Sequence, residues 1–384
     1  MHILYILDFY KPNIGGIEVL LDEIINHFWK NNKVSVITWN FNWKLPEIEK
    51  KWNITIYRVK STILQTYPFF AYKKWKEIIS DVDIIHANTF YSSFVWSKLA
   101  KKYGKKAILH IHWYFWVLWF NMLEWNYFVK KLKEYKFRFL EKMWINWNFD
   151  KYLCVSKYIY DVCKFYYNVD DKKLELLYNG LDYEKWENTI DNLKVENIKK
   201  KYSLDNVFSL LFVWRIEKVK WWDVFLEVLK LLDFGTKVLF IIHWNLDKFI
   251  WKIYSLWAKK IKENEFLLNK SNIIIVWPKK HNEIWNYIKS VSWTVFSSIT
   301  ESFWYFGLET SILNVPIIAS NNGAIPEVVF WKVNFFDIWD KDSFVKAVEN
   351  TKNGIYENIP FKNFDLKLLF SKLENIYKKV LKWE

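Results

Sequence analysis

The sequence predicts an α/β protein of two doubly wound sheets, and three observations carry that expectation. Short apolar strands alternate with helical segments along most of the chain, the pattern of parallel sheets wrapped by helices. The stretch 293–329 condenses this into one unit: a strand (Trp293 to Ser297), a polar loop, a helix, a second strand (Val315 to Ala319) and a turn at Asn321-Asn322-Gly323. At 384 residues the chain exceeds one ordinary core, and the expected division is 1–180, 181–360 and a C-terminal helical segment 361–384.

The first domain opens with a strand, His2 to Leu7, then the loop Asp8 to Gly16. In the helix that follows, the apolar residues at 17, 20, 21, 24, 25 and 28 share one face. The pair Gly15-Gly16 between strand and helix brings backbone N–H groups and the helix dipole to one spot, which suits an anion. Further strands are read at Val34 to Thr38, Ile54 to Val59, Asp83 to His86 and Ala107 to Ile111. His112 stands at the carboxyl end of the last, where open α/β sheets hold ligands, and His110 is assigned to the opposite side of that strand. Tyr127 to Trp144 reads as a helix with Phe128, Leu132, Tyr135 and Phe139 at helical spacing and lysines largely elsewhere. Such a helix fits an anionic bilayer surface or an ordinary core. Strands at Lys151 to Val155 and Leu174 to Tyr178 close the domain.

The tract Asn188 to Lys201 has no strand pattern and reads as a surface segment. The second domain then runs through a strand (Phe208 to Val213), Trp214-Arg215, Lys218, Lys220, a helix (Asp223 to Leu232) and a strand (Val238 to Ile242). His243-Trp244-Asn245, a strand at Asn272 to Val276 and a helix from His281 lead into the 293–329 unit. Glu301 falls in the crevice beyond the strand, and Glu309 lies about two helical turns further on. Asn363 to Trp383 is a lysine-rich amphipathic helix.

The run Glu301-Ser302-Phe303-Trp304, with Leu308-Glu309, Val315-Pro316, Ala319-Ser320 and Gly323 to Pro326-Glu327, closely resembles the sugar-nucleotide site of family 4 glycosyltransferases. Gly15-Gly16, His112-Trp113, Asn179-Gly180-Leu181-Asp182 and the segment Trp214 to Trp221 resemble further markers of that family. The resemblance implies two Rossmann-like domains facing across a cleft (GT-B type), with the last helix crossing back to the first. It implies transfer of a hexose-type sugar, with retention, from a nucleoside-diphosphate sugar to a saccharide or lipid-linked acceptor in cell-envelope polysaccharide or glycolipid synthesis. By the same resemblance Glu301 orients the donor sugar, Glu309 holds the ribose, Arg215 and Lys220 grip the diphosphate, and His112 lies near the reacting carbon. Gly15 and Gly16 face the diphosphate and acceptor; Ser302, Phe303 and Trp304 offer backbone N–H groups beside Leu308. Neither a cofactor nor a metal is expected, because fixed cations in a water-poor cleft stabilise a departing diphosphate. His243 departs from the family's Gly-x-Gly at that loop.

The formal charge of +14, from 56 Lys and Arg against 42 Asp and Glu, suggests an anionic partner. With the resemblance in hand, that partner is the nucleotide sugar and an anionic membrane surface reached through the basic first domain, not nucleic acid. Cys154 and Cys163 fit neither a metal cluster nor a redox pair, and free thiols in a reducing cytosol are expected. Met1 leads straight into a strand without a basic-then-apolar leader. Ile108 to Leu123 is too short and too polar to span a membrane. A cytoplasmic protein, peripheral on the inner face of the plasma membrane, is the expectation.

Tryptophan is the anomaly. The chain has 26 Trp against 8 Gly, and together they approach the glycine content of an ordinary protein, about 7%. Trp43, Trp52, Trp214, Trp304 and Trp339 stand where φ > 0 or close backbone approach favours glycine. The expectation is that many of these are glycines encoded by UGA. If Trp214 and Trp304 are tryptophan, their indoles are expected to crowd the donor pocket and leave the polypeptide inactive.

Two other function classes compete. A sugar-nucleotide epimerase or isomerase on this architecture needs an acid/base pair at the sugar, and the sequence offers one well-placed histidine. A non-enzymatic basic protein that binds membrane or nucleic acid predicts salt-sensitive binding without turnover. A glycosidase is disfavoured because Glu301 and Glu309 belong to one loop-helix element and do not flank a bond.

Overall fold

In the computed structural model of the protein, the residues described are 1–12, 16–40, 44–61, 67–88, 93–112, 148–215, 236–243, 272–276 and 279–382, with shorter pieces within 131–145 and 259–267. They form two compact units: Met1–Leu181 with Phe364–Glu384, and Asp182–Asn363.

Unit 1 carries strands β1 (His2–Leu7), β2 (Lys33–Trp39), β3 (Ile48–Lys51), β4 (Ile54–Val59), β5 (Ile84–Asn88), β6 (Lys106–Ile111), β7 (Lys151–Cys154) and β8 (Leu174–Leu176). Among the described residues they make one sheet in the order β3-β4-β2-β1-β5-β6-β7-β8, parallel except where β3 meets β4. All six residues of β1 are buried, as a central strand covered on both faces requires. The helix Gly16–Phe28 buries Leu20, Leu21, Ile24, Ile25 and Phe28, the stripe read from the sequence apart from Ile17. The C-terminal helix Leu366–Leu381 belongs to this unit; Asp365 caps it by accepting from Lys367 N, and Leu369, Leu373, Ile376 and Tyr377 are buried. Its start runs beside the segment Gly180-Leu181. Leu181 N–H donates to Phe364 O at 2.9 Å and Leu366 N–H to Leu181 O at 3.0 Å. A side chain at Gly180 would place its first carbon 2.9 Å from Leu366 Cα, so close approach of two backbones demands glycine there.

Unit 2 carries β9 (Ser209–Arg215), β10 (Lys237–His243), β11 (Lys259–Lys262), β12 (Glu265–Leu267), β13 (Ile273–Val276), β14 (Trp293–Phe296), β15 (Ile317–Ser320), β16 (Trp331–Phe336) and β17 (Glu357–Ile359). Their order is β11-β12-β13-β10-β9-β14-β15-β16-β17. The block β13-β10-β9-β14-β15-β16 is parallel, and β11, β12 and β17 add antiparallel edges.

The sequence reading missed β3, β11, β12, β16 and β17. Every residue of β3 is exposed and β17 is mostly so, which leaves an edge strand with no buried face to mark it. The tract read as a surface segment contains a helix, Asn192–Tyr202, capped by Asp191. Only Val195 and Tyr202 are buried along it, too few to give an apolar period. Cys154 and Cys163 are free and buried. No helix among the described residues is long and apolar enough to cross a membrane. Gly15, Trp43, Lys218, Lys220, Trp221, the segment 223–232, Trp244-Asn245 and all of 113–130 lie outside the described residues.

Candidate functional site

In unit 2 the site stretch is a loop fastened at its rear. β14 delivers Ser297, Ser298 and Thr300, all buried, to the carboxyl edge of the sheet, and the turn after β15 reaches across to hold them. Ser320 Oγ donates to Ser298 O (2.6 Å), Asn322 Nδ2 to Ile299 O (2.6 Å), and Ala324 N–H to Glu301 O (3.0 Å). Gly323, at φ +60°, makes this fit possible: a side chain would set its first carbon 2.9 Å from both N and O of Glu301. The Asn-Gly pair flagged a turn in the sequence; that the turn fixes the Glu301 backbone was not legible there. Lys362 secures the far side, its Nζ donating to the carbonyls of Pro326, Glu327 and Val329 at 2.9–3.1 Å and so satisfying the end of the helix Ile325–Val328.

The helix Tyr305–Ile312 begins at Trp304 with no side-chain cap, so its first N–H groups point into the loop region without an internal acceptor. Glu309, on this helix, is 1% exposed, and Glu301 is half-buried. Ser302 and Phe303 are buried in the loop between, and Leu308 is fully buried in the helix. Tyr305, one turn before Glu309, was not singled out from the sequence. Burial first and the Glu309 carboxylate second push its phenol well above the ordinary value. Within 300–310 the buried oxygens Thr300 Oγ1, Tyr305 OH and Thr310 Oγ1 have no hydrogen-bond partner among the described residues. Buried hydroxyls of this kind ask for an explanation, and a polar ligand supplies one.

The indole of Trp304, expected to crowd the donor pocket, is buried in the core of unit 2 with Ile317, Ala319, Ile325, Val329 and Val333. It meets Phe296 edge-on at 3.8 Å and lies where a side chain on Gly307 would stand. Arg215 ends β9, the parallel neighbour of both β10 and β14, so its backbone sits at the same carboxyl edge as the Glu301 loop. Its side chain and that of Trp214 fall outside the described set, as does all of Lys220.

In unit 1, Gly16 opens the first helix and is exposed, while Gly15 precedes the described segment. His112 follows β6 and is 4% exposed. Its Nε2 lies 2.9 Å from Asn88 Oδ1, at the end of the adjacent strand β5. The Asn88 amide nitrogen donates to His86 O (3.2 Å), which leaves only its oxygen to face the imidazole. His112 therefore carries its proton on Nε2, donates to Asn88, and keeps its lone pair on Nδ1. His110 shares a face with His112, contrary to the sequence reading: residues two apart on a strand point the same way, and the rings lie 3.8 Å apart. Behind them His86 bridges His110 Nδ1 (3.2 Å) and Tyr377 OH (2.5 Å), and Tyr377 meets Tyr5 OH (3.1 Å). Burial lowers His112 and His86 to about 3, the latter aided by His112, and holds His110 well below the ordinary value, so all three are neutral at pH 7.

The profile described as Glycosyltransferase Family 4 matches residues 14–185, and that described as Glycosyl transferases group 1 matches 194–353. An uncharacterized glycosyltransferase of Methanocaldococcus jannaschii is 25% identical over 383 residues, covering 98% of this chain and 93% of the relative. Among solved structures, sucrose-phosphate synthase from Thermosynechococcus elongatus superposes with a TM-score of 0.75 at 13% identity, covering 100% of both chains. Anabaena HepE in complex with UDP gives 0.70 at 12% identity over 99% of this chain and 100% of that one, and HepE is also known with UDP-glucose. These two likenesses speak for the fold. With two profiles tiling both units in the order of the chain, the protein belongs to the family 4, group 1 glycosyltransferases of the two-Rossmann-domain GT-B architecture.

Proposed function

We propose that the protein moves a hexose-type sugar, with retention, from a nucleoside-diphosphate sugar to a saccharide or lipid-linked acceptor. The observation that carries the reading is the Glu301 backbone, locked by the Gly323 turn at the carboxyl edge of the sheet, with buried Glu309 on the helix that follows. In this reading Glu301 orients the sugar hydroxyls, and Glu309 takes two vicinal ribose hydroxyls at once. Ser302, Phe303 and Trp304 offer N–H groups to the sugar and phosphates, and the N-terminus of the helix that follows adds to them. Arg215 and Lys220 offset the charge that builds as the diphosphate leaves, which needs no metal. Gly15 and Gly16 let the diphosphate approach backbone closely. His112, neutral and with an accepting Nδ1, takes a hydrogen bond from a sugar hydroxyl near the reacting carbon; it is not a general acid. HepE, of the same fold, is known with UDP and UDP-glucose, which makes UDP-sugars the first donors to try.

A thermal-shift series with UDP-, GDP- and ADP-sugars tests this. One nucleotide sugar is expected to stabilise the protein, and Glu309→Gln to weaken its binding roughly 10–100-fold, the loss of charge-assisted hydrogen bonds. Silence from all three donors, or conversion of the sugar nucleotide to an epimer without transfer, counts against it.

A membrane-bound acceptor is favoured by a second observation. Leu132, Tyr135 and Phe139 are helical and 74%, 76% and 63% exposed, beside exposed Lys131, Lys136 and Lys142. Aromatics and lysines exposed together suit the surface of an anionic bilayer on the cytoplasmic side. Co-sedimentation with phosphatidylserine vesicles, absent with phosphatidylcholine and lost on Tyr135→Glu, is the expected result.

A further inference from the structure

Tryptophan occupies backbone positions that stereochemistry reserves for glycine. Eight described residues other than glycine have a left-handed φ: three Asn, one Ser, one Lys, and Trp52 (51°), Trp331 (78°) and Trp339 (77°). Asn tolerates this region because its short polar side chain bonds locally; a bulky aromatic has no such compensation.

The local geometry says which residue each position calls for. Lys51 pairs with Ile54 across β3 and β4, so Trp52-Asn53 is a two-residue hairpin loop with φ positive at its first residue and not its second. That is the type II′ pattern, which takes Gly first. Trp339 is the third residue of a turn closed by Asp340 N–H on Asp337 O (3.2 Å), and its φ of 77° is that of the type II position filled by Gly or Asn. Trp331 begins β16 opposite Ile359 on the edge strand. The three indoles are 71%, 53% and 42% exposed in that order, so little burial offsets the strain. Trp75 and Trp96 show the contrast: both are helical, fully buried, and packed together at 5.3 Å.

We propose that residues 52, 331 and 339 are glycine in the functional polypeptide, their UGA codon being decoded as glycine in the cells that make it. The excess of tryptophan and scarcity of glycine in composition, 26 against 8, point the same way. Trp304 is not included, because its φ of −125° is open to any residue. The proposal is independent of the sugar-transfer reading: it concerns backbone geometry and is read out without activity.

Peptide mass spectrometry of the protein purified from its own cells decides the matter. Glycine is expected at all three positions, and tryptophan at any one of them overturns the proposal. A second arm uses the recombinant tryptophan-containing chain. W331G and W339G are each expected to raise the Tm by roughly 2–4 °C. W52G is expected to raise it too, by less than relief of strain alone would give, since that indole stacks on Trp29 at 4.7 Å and lies under Lys51 Nζ. W75G is expected to lower it. A fall in Tm for W331G or W339G would also overturn the idea.

Discussion

The two units hold their candidate site residues by opposite means. In unit 2, Glu301 is fixed through its backbone, by hydrogen bonds from a turn and by the missing side chain of Gly323. In unit 1, His112 is fixed through its ring, by Asn88 and a buried chain of neutral histidines ending on Tyr377 and Tyr5. A backbone clamp is blind to pH and intolerant of added carbon atoms. A buried imidazole chain tolerates modest changes of shape and fails when protons arrive.

Acidification is the largest way to break that comparison. The folded pKa values of His86, His110 and His112 lie below the unfolded value near 6.5, so the unfolded chain binds protons that the folded one refuses. Stability is therefore full above about pH 6.5 and falls as pH drops from there toward about 3, by on the order of 1 kcal/mol per histidine per pH unit. Hydrogen exchange resolved by segment should show unit 1 opening first on acidification, with unit 2 following at lower pH. Simultaneous opening of the 298–324 segment would show that the histidines do not set the limit.

Gly323→Ala comes next. The φ of +60° and the 2.9 Å approach to Glu301 act together, and the expected result is a stability loss of about 1–3 kcal/mol with donor binding cut by 10-fold or more. Denaturant titration and nucleotide-sugar binding measure the two parts. Wild-type affinity in Gly323→Ala would mean that the Glu301 backbone is not what the donor reads.

Asn88→Leu tests the ring-held side. It removes the acceptor that keeps the proton on Nε2, and imidazole nitrogen shifts in NMR should show His112 as a mixture of tautomers, with transfer slowed about 10-fold. Asn88→Asp, which still accepts, should restore the Nε2–H form. An unchanged tautomer in Asn88→Leu removes Asn88 from the positioning role.

Tyr305→Phe is the smallest. If the buried hydroxyl meets only protein, its removal leaves binding unchanged and raises stability by about 1 kcal/mol. If it serves the donor beside Glu309, affinity falls several-fold. Isothermal titration beside a melting curve separates the two, and the sugar-transfer reading expects the second.

The parallel cores of both sheets were legible because central strands such as Ile3 to Leu7 are buried on both faces and therefore apolar throughout. Edge strands were not, since Ile48–Lys51 is exposed throughout and owes its form to pairing alone. Glu301 and Glu309 could be singled out because strand, loop and helix are local in sequence. The network behind His112 could not. His86 and Tyr377 are 291 residues apart, and no pattern in either neighbourhood announces the other. The placement of His110 failed for a simpler reason, a period of two read as a change of face.

The chain returns to unit 1 only at Phe364, after all of Asp182–Asn363 has been made. Tyr377, which finishes the histidine network, is thus made only after the whole of unit 2. The amino-terminal sheet must wait, its imidazoles unpartnered at that end, while the second lobe is synthesised and able to fold. A truncation that stops short of Leu366 would strip the first lobe of its closing helix and leave the second lobe, though nearer the cut, whole.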